Sequence, residues 1–323
     1  MILSSKQLDS LKMRLTRFRP SPMTQPPFLQ PNDKIGLISL ASKVEYEDLQ
    51  AFIHIAQNDW GLQVVEGNHL KSQNYQFAGT DQERLADFQT MLNDDAIKAI
   101  FSSRGGYGSS RIIDQIGFRK FKKNPKWIVG FSDITAVHCH LNNLGFQSIH
   151  SIVPKQFGND TYSSSIESLK KILFGQKIVY ETPNHHLNRT GNRVGELVGG
   201  NLCLLAHLMG SKSEIKTNNK ILFVEDVNEY LYNIDRMMVQ LKRAKKLENL
   251  AGLIVGKFTD SKDNEHSPFG KTAYEIIAEH VSGYDFPVCY DFPIGHEPPN
   301  FPVIVGAKIN LAVGPNSTVL SII

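Results

Sequence analysis

The chain has 323 residues, of which 41% are hydrophobic, 9% aromatic and 21% charged, the balance of a soluble globular protein of about two domains. This composition excludes a disordered, collagenous or coiled-coil chain. The net charge of +3 is too small to indicate a nucleic-acid partner. The positive charge is also local, because residues 1–22 contain five basic side chains and one acidic side chain, which leaves the rest near neutral.

The cysteine pattern and the N-terminus limit the possible environments. Cys139, Cys203 and Cys289 have no C-x-x-C spacing, which predicts neither a disulfide framework nor a structural zinc site. No apolar run approaches the about 18 residues of a membrane span, and no secretory signal is present, so we expect a cytoplasmic protein without a membrane partner. Residues 1–25 are expected to form a basic, disordered extension; an amphipathic surface or targeting helix is the alternative for residues 1–22.

Strands and helices are predicted to alternate through residues 26–160. Strand-length apolar runs occur at KIGLISLAS, LQVVEG, AIKAIFSS, KWIVGF and FQSIHSIV. Helices are predicted between them, including one that Gly61 closes and one that opens with a capping box at Thr80 and Glu83. This alternation is typical of a parallel sheet with helices on its faces, so we predict an N-terminal α/β domain over residues 26–160.

Residues 161–192 interrupt the pattern and are predicted to be a linker with one short helix near 166–174. Residues 193–323 are richer in strands, with runs at VGELVGG, KILFVEDV, AGLIVGKF and PVCYDFPIG and a long helix between the second and third runs. The last segment, VIVGAKINLAVGPNSTVLSII, predicts hairpins because glycine and asparagine separate β-branched runs. We therefore predict the α/β fold class, with a second, strand-rich α/β domain over residues 193–323.

The sequence around Ser132 is the strongest local indication of chemistry. The apolar strand KWIVGF leads directly into Ser132, and a helix follows at once. This pattern is typical of a nucleophile elbow, in which a tight turn exposes a serine hydroxyl beside the N–H groups of a helix N-terminus. Gly130 stands two residues before the serine as in that motif, but Ile134 stands where a second glycine is usual. A serine that only caps the helix is the alternative interpretation.

A glycine-rich loop, SRGGYG, follows the preceding strand at residues 103–108. Its glycines let backbone N–H groups approach a ligand closely, which suits a phosphate site or an oxyanion hole; a turn without a ligand is the alternative. The loop matches neither nucleotide-binding pattern, so no nucleotide cofactor is predicted. Because ligands of open α/β sheets bind at the carboxyl ends of strands, this loop and Ser132 are expected to face one cleft.

A serine nucleophile requires a base and a carboxylate that orients the base. His296 is the favoured base, because it follows a predicted strand and stands between Gly295 and two prolines. Glu225 is the favoured carboxylate, because it directly follows the apolar run ILFV, whereas Asp226 and Glu229 are expected to face solvent or cap helices. Other candidate histidines lie on the helix after the serine, near the cleft or in the linker: His138, His140, His150, His185 and His186.

Together these motifs resemble the L,D-carboxypeptidase family, serine peptidases also called murein tetrapeptide carboxypeptidases, which includes microcin-immunity-type relatives. The resemblance extends from about Pro27 to Val313. It rests on the segments PPFLQPNDKIGLIS, FAGTDQERLADFQ, IKAIFSSRGGYGSSRIID, PKWIVGFSDITAVH, GELVGGNLCLLAHLMGS, LFVEDVNEYLYNIDRMMVQL and PIGHEPPN.

The resemblance implies a catalytic triad of Ser132, Glu225 and His296, in the family's chain order, with no cofactor and no metal. It implies an oxyanion hole formed by the backbone N–H groups of Gly106 and Asp133, and an active site between the two domains. The implied reaction removes the terminal D-alanine from muropeptide tetrapeptides in cell-wall recycling. Candidate substrate-binding residues are Arg104, Tyr107 and His150, and Ser151 stands where family members often carry a glycine.

Two other functions remain open at this stage. An immunity-type serine hydrolase would cleave an amide or acyl linkage of a peptide–nucleotide antibiotic, and a non-catalytic protein would only bind muropeptides. The expected partner is a muropeptide substrate, with no nucleic acid and no membrane. The sequence leaves a homodimer open.

Overall fold

The computed structural model describes residues 23–323, so the predicted extension over residues 1–25 lies almost entirely outside the described residues. The described part contains strands β1 (Lys34–Ile38), β2 (Gln63–Glu66), β3 (Ile97–Ser102), β4 (Trp127–Gly130), β5 (Ser148–His150), β6 (Val179–Pro183), β7 (Gly191–Asn201), β8 (Lys220–Val227), β9 (Gly252–Thr259), β10 (Val288–Cys289), β11 (Val303–Val305), β12 (Lys308–Val313) and β13 (Ser317–Ile322). Its helices are α1 (Gln50–His54), α2 (Asp81–Asn93), α3 (Ser109–Ile112), α4 (Thr135–Leu144), α5 (Ser163–Leu173), α6 (Leu202–His207), α7 (Leu231–Arg243) and α8 (Ala273–Val281). None of these helices is both long enough and apolar enough to cross a bilayer.

The strands form two sheets, which confirms the predicted α/β fold class. The first sheet has the order β11-β5-β4-β3-β1-β2, and its neighbours from β5 to β2 all pair in parallel. Strands β3 and β4 are almost wholly buried, as expected for parallel strands with helices on both faces. The capping box at Thr80 and Glu83 opens α2 as the sequence predicts.

The second sheet has the order β10-β9-β8-β7-β12-β13-β6. Strands β7 to β10 pair in parallel, whereas β12, β13 and β6 add antiparallel strands at the other edge. The pair β12–β13 is the hairpin that the C-terminal glycine and asparagine pattern predicts. The long predicted helix is α7, which buries one apolar face of Ile234, Met237, Met238 and Leu241.

The two sheets depart from the predicted segment boundaries at two places. Strand β6 lies inside the predicted 161–192 linker and pairs with β13, so part of that segment belongs to the second sheet. Strand β11 lies late in the chain but pairs antiparallel with β5 of the first sheet, Val303 opposite His150. A three-residue strand carries no sequence signal for so distant a partner, because its hydrophobic pattern is short and no tight turn joins the two strands to fix their register.

The sheets are joined through buried contacts close to Ser132. One continuous apolar cluster includes Phe101 and Ile149 of the first sheet and Phe223 and Ile254 of the second. At the carboxyl end of β7, the backbone N–H of Asn201 donates to Oγ1 of Thr135 at 3.1 Å. These contacts hold the second sheet against the helix that follows Ser132.

Candidate active site

Ser132 occupies a strained turn between β4 and α4. Its φ is +60°, a left-handed value that a residue other than glycine rarely adopts and that concentrates at functional sites. A Cβ at Gly130 would lie 2.9 Å from Cγ1 of Ile134, so the side chain of Ile134 fills the space that the glycine leaves. A glycine on one side of the elbow therefore suffices, which explains why the two-glycine motif is only half matched.

The glycine-rich loop after β3 lies directly against the serine. A Cβ at Gly105 would lie 2.9 Å from Cβ of Ser132 and 3.2 Å from its Oγ, so only glycine allows this approach. Gly106 has φ +105°, and a Cβ there would lie 2.1 Å from Oγ of Ser42. The backbone beside Ser132 is thus packed too closely for side chains, as a site built from N–H groups requires.

His296, which is partly exposed, and Glu225, which is fully buried, form a hydrogen-bonded pair. Nδ1–H of His296 donates to Oε2 of Glu225 at 2.7 Å, which leaves Nε2 as the free acceptor of the neutral ring. Glu225, at 0% exposure on β8, is inaccessible to solvent. Burial by itself lowers the pKa of His296, but the charge and the hydrogen bond of Glu225, with the charge of Asp226, raise it above its ordinary value.

The segment that carries His296 is less regular than predicted. The predicted strand PVCYDFPIG ends at Cys289, because Asp291 has φ +60° and Pro293 has no N–H to donate. Backbone bonds to β9 continue past the end of the strand: the N–H of Phe292 donates to the carbonyl oxygen of Val255 at 3.1 Å, and the N–H of Lys257 donates to that of Ile294 at 2.8 Å. His296 is therefore positioned by an irregular extension of β10 along β9, to which Asn300 adds a side-chain acceptor for the N–H of Gly295 at 3.1 Å.

Lys257 of β9 forms ion pairs on both sides of the segment that leads to His296. Its Nζ lies 2.7 Å from Oδ1 of Asp291 and 3.1 Å from Oε1 of Glu297, the residue that follows His296. Gly256, the residue before Lys257, leaves room for Glu225, since a Cβ at Gly256 would lie 3.2 Å from the Cβ of Glu225. Contacts with β8 and β9 together thus hold Glu225 and His296 in place.

The other two carboxylate candidates do not reach His296 by a hydrogen bond. Asp226 is buried and accepts from Nδ2 of Asn201 at 2.8 Å and from the N–H of Cys203 at 2.9 Å, so it holds the start of α6. The capping interpretation of Asp226 therefore fits, whereas the solvent-facing one is wrong. Burial and the nearby charge of Glu225 raise the pKa of Asp226 to about 7. Glu229 is half-buried and accepts from Nδ2 of Asn233 at 3.1 Å.

The histidines near the cleft have structural positions. His138 is buried. Its Nδ1 lies 2.8 Å from Oγ of Ser148, and its Nε2 lies 2.8 Å from the carbonyl oxygen of Gly130. His150 is at 0% exposure, between the rings of Phe131 at 5.9 Å and Phe223 at 5.0 Å. The prediction that His150 contacts the substrate is therefore wrong for this structure, because the ring is enclosed by apolar packing. Burial also lowers the pKa of His150 well below its ordinary value, which keeps the ring neutral.

The remaining histidine candidates lie away from Ser132. His140 contacts Oγ of Ser213 at 2.9 Å, and its ring stacks on Phe118. His185 and His186 lie side by side at a different pocket, in the second sheet's part of the molecule. Neither position offers a base to the serine.

One pocket of about 810 Å³ brings Ser132 and His296 together. Loops from both sheets line it: Arg104, Gly105, Gly106, Phe131, Ser132, Val153, Lys155, Gln156, Asn159, Tyr162, Val227, Asn228, Asp260 and His296. Tyr107 does not line it, and its half-exposed ring packs 5.9 Å from that of Phe77. Across residues 23–323, no three His, Cys, Asp or Glu side chains are grouped as a metal site.

The two cations of the pocket differ in how they are paired. Nζ of Lys155 is bonded to Oδ2 of Asp48 at 2.7 Å, which neutralises its charge locally. Arg104 donates to the carbonyl oxygen of Lys43 at 3.0 Å and has no carboxylate partner within the described part of the chain. A guanidinium with unused donors can bind a carboxylate of a ligand in two-point fashion.

Comparison with known proteins places this arrangement in context. Family models described as the LD-carboxypeptidase N-terminal and C-terminal domains match residues 35–151 and 194–311. A probable murein peptide carboxypeptidase of Bacillus subtilis is 33% identical over 301 residues, which cover 92% of this chain and 94% of the relative. The crystal structure of a muramoyltetrapeptide carboxypeptidase from Oxalobacter formigenes matches with a TM-score of 0.82 at 25% identity, covering 90% of this chain and 98% of that one. A microcin C7 self-immunity protein shares the fold, with a TM-score of 0.81 at 21% identity over 93% of this chain and 98% of its own.

Proposed function

The chain belongs to the LD-carboxypeptidase family, and on this premise we propose that it is a serine carboxypeptidase that removes the terminal D-alanine from murein tetrapeptides in the cytoplasm. The observation that carries the proposal is the pocket that Ser132 and His296 line together, with Nδ1 of His296 bonded to buried Glu225. The names of the similar proteins support a murein peptide as the substrate. We also propose that the site lies between a domain of residues 26–160 and one of residues 193–323.

In the first step, Nε2 of His296 takes the proton of the Ser132 hydroxyl while Oγ attacks the scissile carbonyl carbon. Glu225 holds the imidazole in the tautomer that exposes Nε2, and its charge stabilises the imidazolium that forms. The developing oxyanion accepts hydrogen bonds from the N–H groups of Gly106 and Asp133. As the second residue of a helical turn, Asp133 has an N–H without an acceptor in that turn, which suits this role.

In the second step, the imidazolium of His296 donates its proton to the leaving amine, and free D-alanine departs. A water molecule then attacks the acyl-enzyme carbonyl and gives a proton to Nε2 of His296. As the ester bond breaks, His296 returns that proton to Oγ of Ser132, and the shortened peptide leaves with a new terminal carboxyl group. A carboxypeptidase must also recognise the terminal carboxylate of its substrate. Arg104, unpaired and next to Gly105 and Gly106, is our proposed partner for it, with Lys155 as a weaker one because Asp48 already binds it.

Two alternative functions would use the same pocket, one with a different substrate and one without catalysis. An immunity-type hydrolase would use the same triad on a peptide–nucleotide antibiotic; the likeness to the microcin C7 self-immunity protein, at 21% identity, supports the fold alone. A binding protein would use the pocket without chemistry. Labelling with a serine-directed phosphonate separates an enzyme from a binding protein, because only an activated Ser132 would be modified.

The proposed function is tested by incubating the purified protein with a disaccharide tetrapeptide and following the product by mass spectrometry. The expected result is the loss of a single alanine from the peptide's C-terminus, with free D-alanine in solution. A peptide–nucleotide antibiotic tested in parallel should remain intact. Cleavage of the antibiotic with no action on the tetrapeptide would instead establish the immunity-type activity.

Chelation is expected to leave the reaction rate unchanged. Nucleophile, base and orienting carboxylate are all supplied by Ser132, His296 and Glu225, so the proposed steps need no metal-bound water. The measurement compares D-alanine release before and after dialysis against EDTA. Loss of activity in EDTA with recovery on adding zinc would contradict the cofactor-free mechanism.

A further inference from the structure

Two polar residues of the second sheet enter the active-site pocket at neighbouring strand ends. Asn228 directly follows β8, Asp260 directly follows β9, and both line the pocket with Ser132 and His296. Both residues are left-handed, with φ of +63° and +51°, and the N–H of Asn228 donates to the carbonyl oxygen of Thr259 at 2.9 Å. This hydrogen bond joins the backbone at the two strand ends, where the Asp260 side chain lines the pocket.

Asp260 is the acidic residue of this pocket, and it is unpaired. The lysines near the site bind other carboxylates: Lys155 binds Asp48, and Lys257 binds Asp291 and Glu297. Within residues 23–323, no basic side chain comes within ion-pair distance of Asp260. The pocket thus has cations on the side of the first sheet and one free carboxylate on the side of the second.

This polarity matches the charges that flank the scissile bond of the proposed substrate. The terminal carboxylate lies one residue beyond the scissile carbonyl, where we place Arg104. The side chain of the preceding residue lies on the other side of that carbonyl, and we assign Asn228 and Asp260 to this side. A carboxylate left without a cation in a ligand pocket favours a ligand that brings one.

From this arrangement we infer that Asp260 binds the side-chain ammonium of the residue before the scissile bond, and so makes the enzyme select a diamino acid there. The inference rests on the proposed carboxypeptidase function and adds a specificity-determining residue to it. A neutral side chain at that position forgoes the ion pair, and an acidic one meets a like charge. Asn228, beside Asp260, supplies an amide oxygen for a second hydrogen bond from the same ammonium.

The test uses the full-length protein and four tetrapeptides that end in D-alanine and differ only in the third residue: L-lysine, Nε-acetyl-L-lysine, L-norleucine and L-glutamate. For the wild-type protein, kcat/KM is expected to be about 10-fold higher with lysine than with acetyl-lysine or norleucine. Asp260→Asn is expected to lower the lysine value to that of acetyl-lysine while leaving the norleucine value unchanged. Asp260→Lys is expected to prefer glutamate.

Glu265→Gln provides the matched control, because Glu265 is an exposed acid on the same loop that does not line the pocket. It should keep the wild-type preference for lysine. If Asp260→Asn kept that preference, or lowered all four values equally, the inference would be overturned while the carboxypeptidase function stood. If the wild-type protein released D-alanine from none of the peptides, the proposed function would fail and the inference with it.

Discussion

Replacing Ser132 with alanine is expected to lower kcat for D-alanine release by about 10⁴-fold or more, because the hydroxyl that forms the acyl-enzyme is removed. His296→Ala is expected to cause a loss of similar size, since His296 is the histidine that lines the pocket with Ser132 in the part of the chain that the structure describes. The double variant should be little worse than either single variant, because nucleophile and base act as one unit. Steady-state release of D-alanine from the tetrapeptide, measured for the three variants, checks this expectation.

Stability measurements separate this loss from a loss of fold. Ser132→Gly should be as inactive as Ser132→Ala but at least as stable to heat, because the φ of +60° costs a residue with a Cβ about 1 kcal/mol. Circular dichroism spectra and unfolding temperatures of both variants provide the comparison. If Ser132→Ala retained more than about one hundredth of the wild-type kcat, Ser132 could not be the nucleophile.

The position of Ser132 could be predicted from the sequence because every element of the elbow is local. An apolar strand, a glycine, the serine and a helix follow one another within a few residues, and steric limits leave few ways to connect them. The role of Ile134 could not be predicted in this way. Its side chain fills the space above Gly130, a contact that depends on the exact path of the turn.

The pairing of His296 with Glu225 depends on two segments that are 71 residues apart. Local pattern made both residues candidates, one after an apolar run and one beside glycine and prolines. Only the resemblance to a family joined them, because no property of either segment specifies the other. The same reason explains the placement of β11, whose three residues pair with β5 more than 150 residues earlier.

Burial was the property that the sequence conveyed least well. His150 ends a strand at the edge of the predicted cleft, a position that favours substrate contact, yet its ring is fully buried with Phe131 and Phe223 packed against it. Asp260 and Asn228, which do line the pocket, do not stand out in the sequence, because polar residues in loops are common. The signal that could have found them is their place directly after β8 and β9, at the same strand ends where ligands bind in α/β sheets.

Glu225→Gln is expected to lower kcat by about 10⁴-fold while leaving a folded protein, because an amide at this position no longer fixes the correct tautomer of His296. Glu229→Gln is the matched control: it changes a carboxylate four residues along the chain that contacts Asn233 rather than His296. The control should keep kcat within about twofold of the wild-type value. If Glu225→Ala kept near-full activity and Glu229→Ala lost it, our assignment of the carboxylate would be wrong.

The pH dependence of kcat/KM is a second, independent test of the pairing of His296 with Glu225. His296 must be neutral to accept the serine proton, so kcat/KM should fall as the pH falls through its pKa, which is raised above 6.5. The groups that face His296 are Glu225 and Asp226, whose charges raise this pKa, and His150, which stays neutral. Removing the charge of Glu225 lowers the pKa of His296, so the acid limb of the residual activity of Glu225→Gln should move to lower pH. If the acid limb of Glu225→Gln did not move, the titrating group would not be a His296 whose pKa depends on Glu225. The control variant Glu229→Gln must show the same acid limb as the wild-type protein.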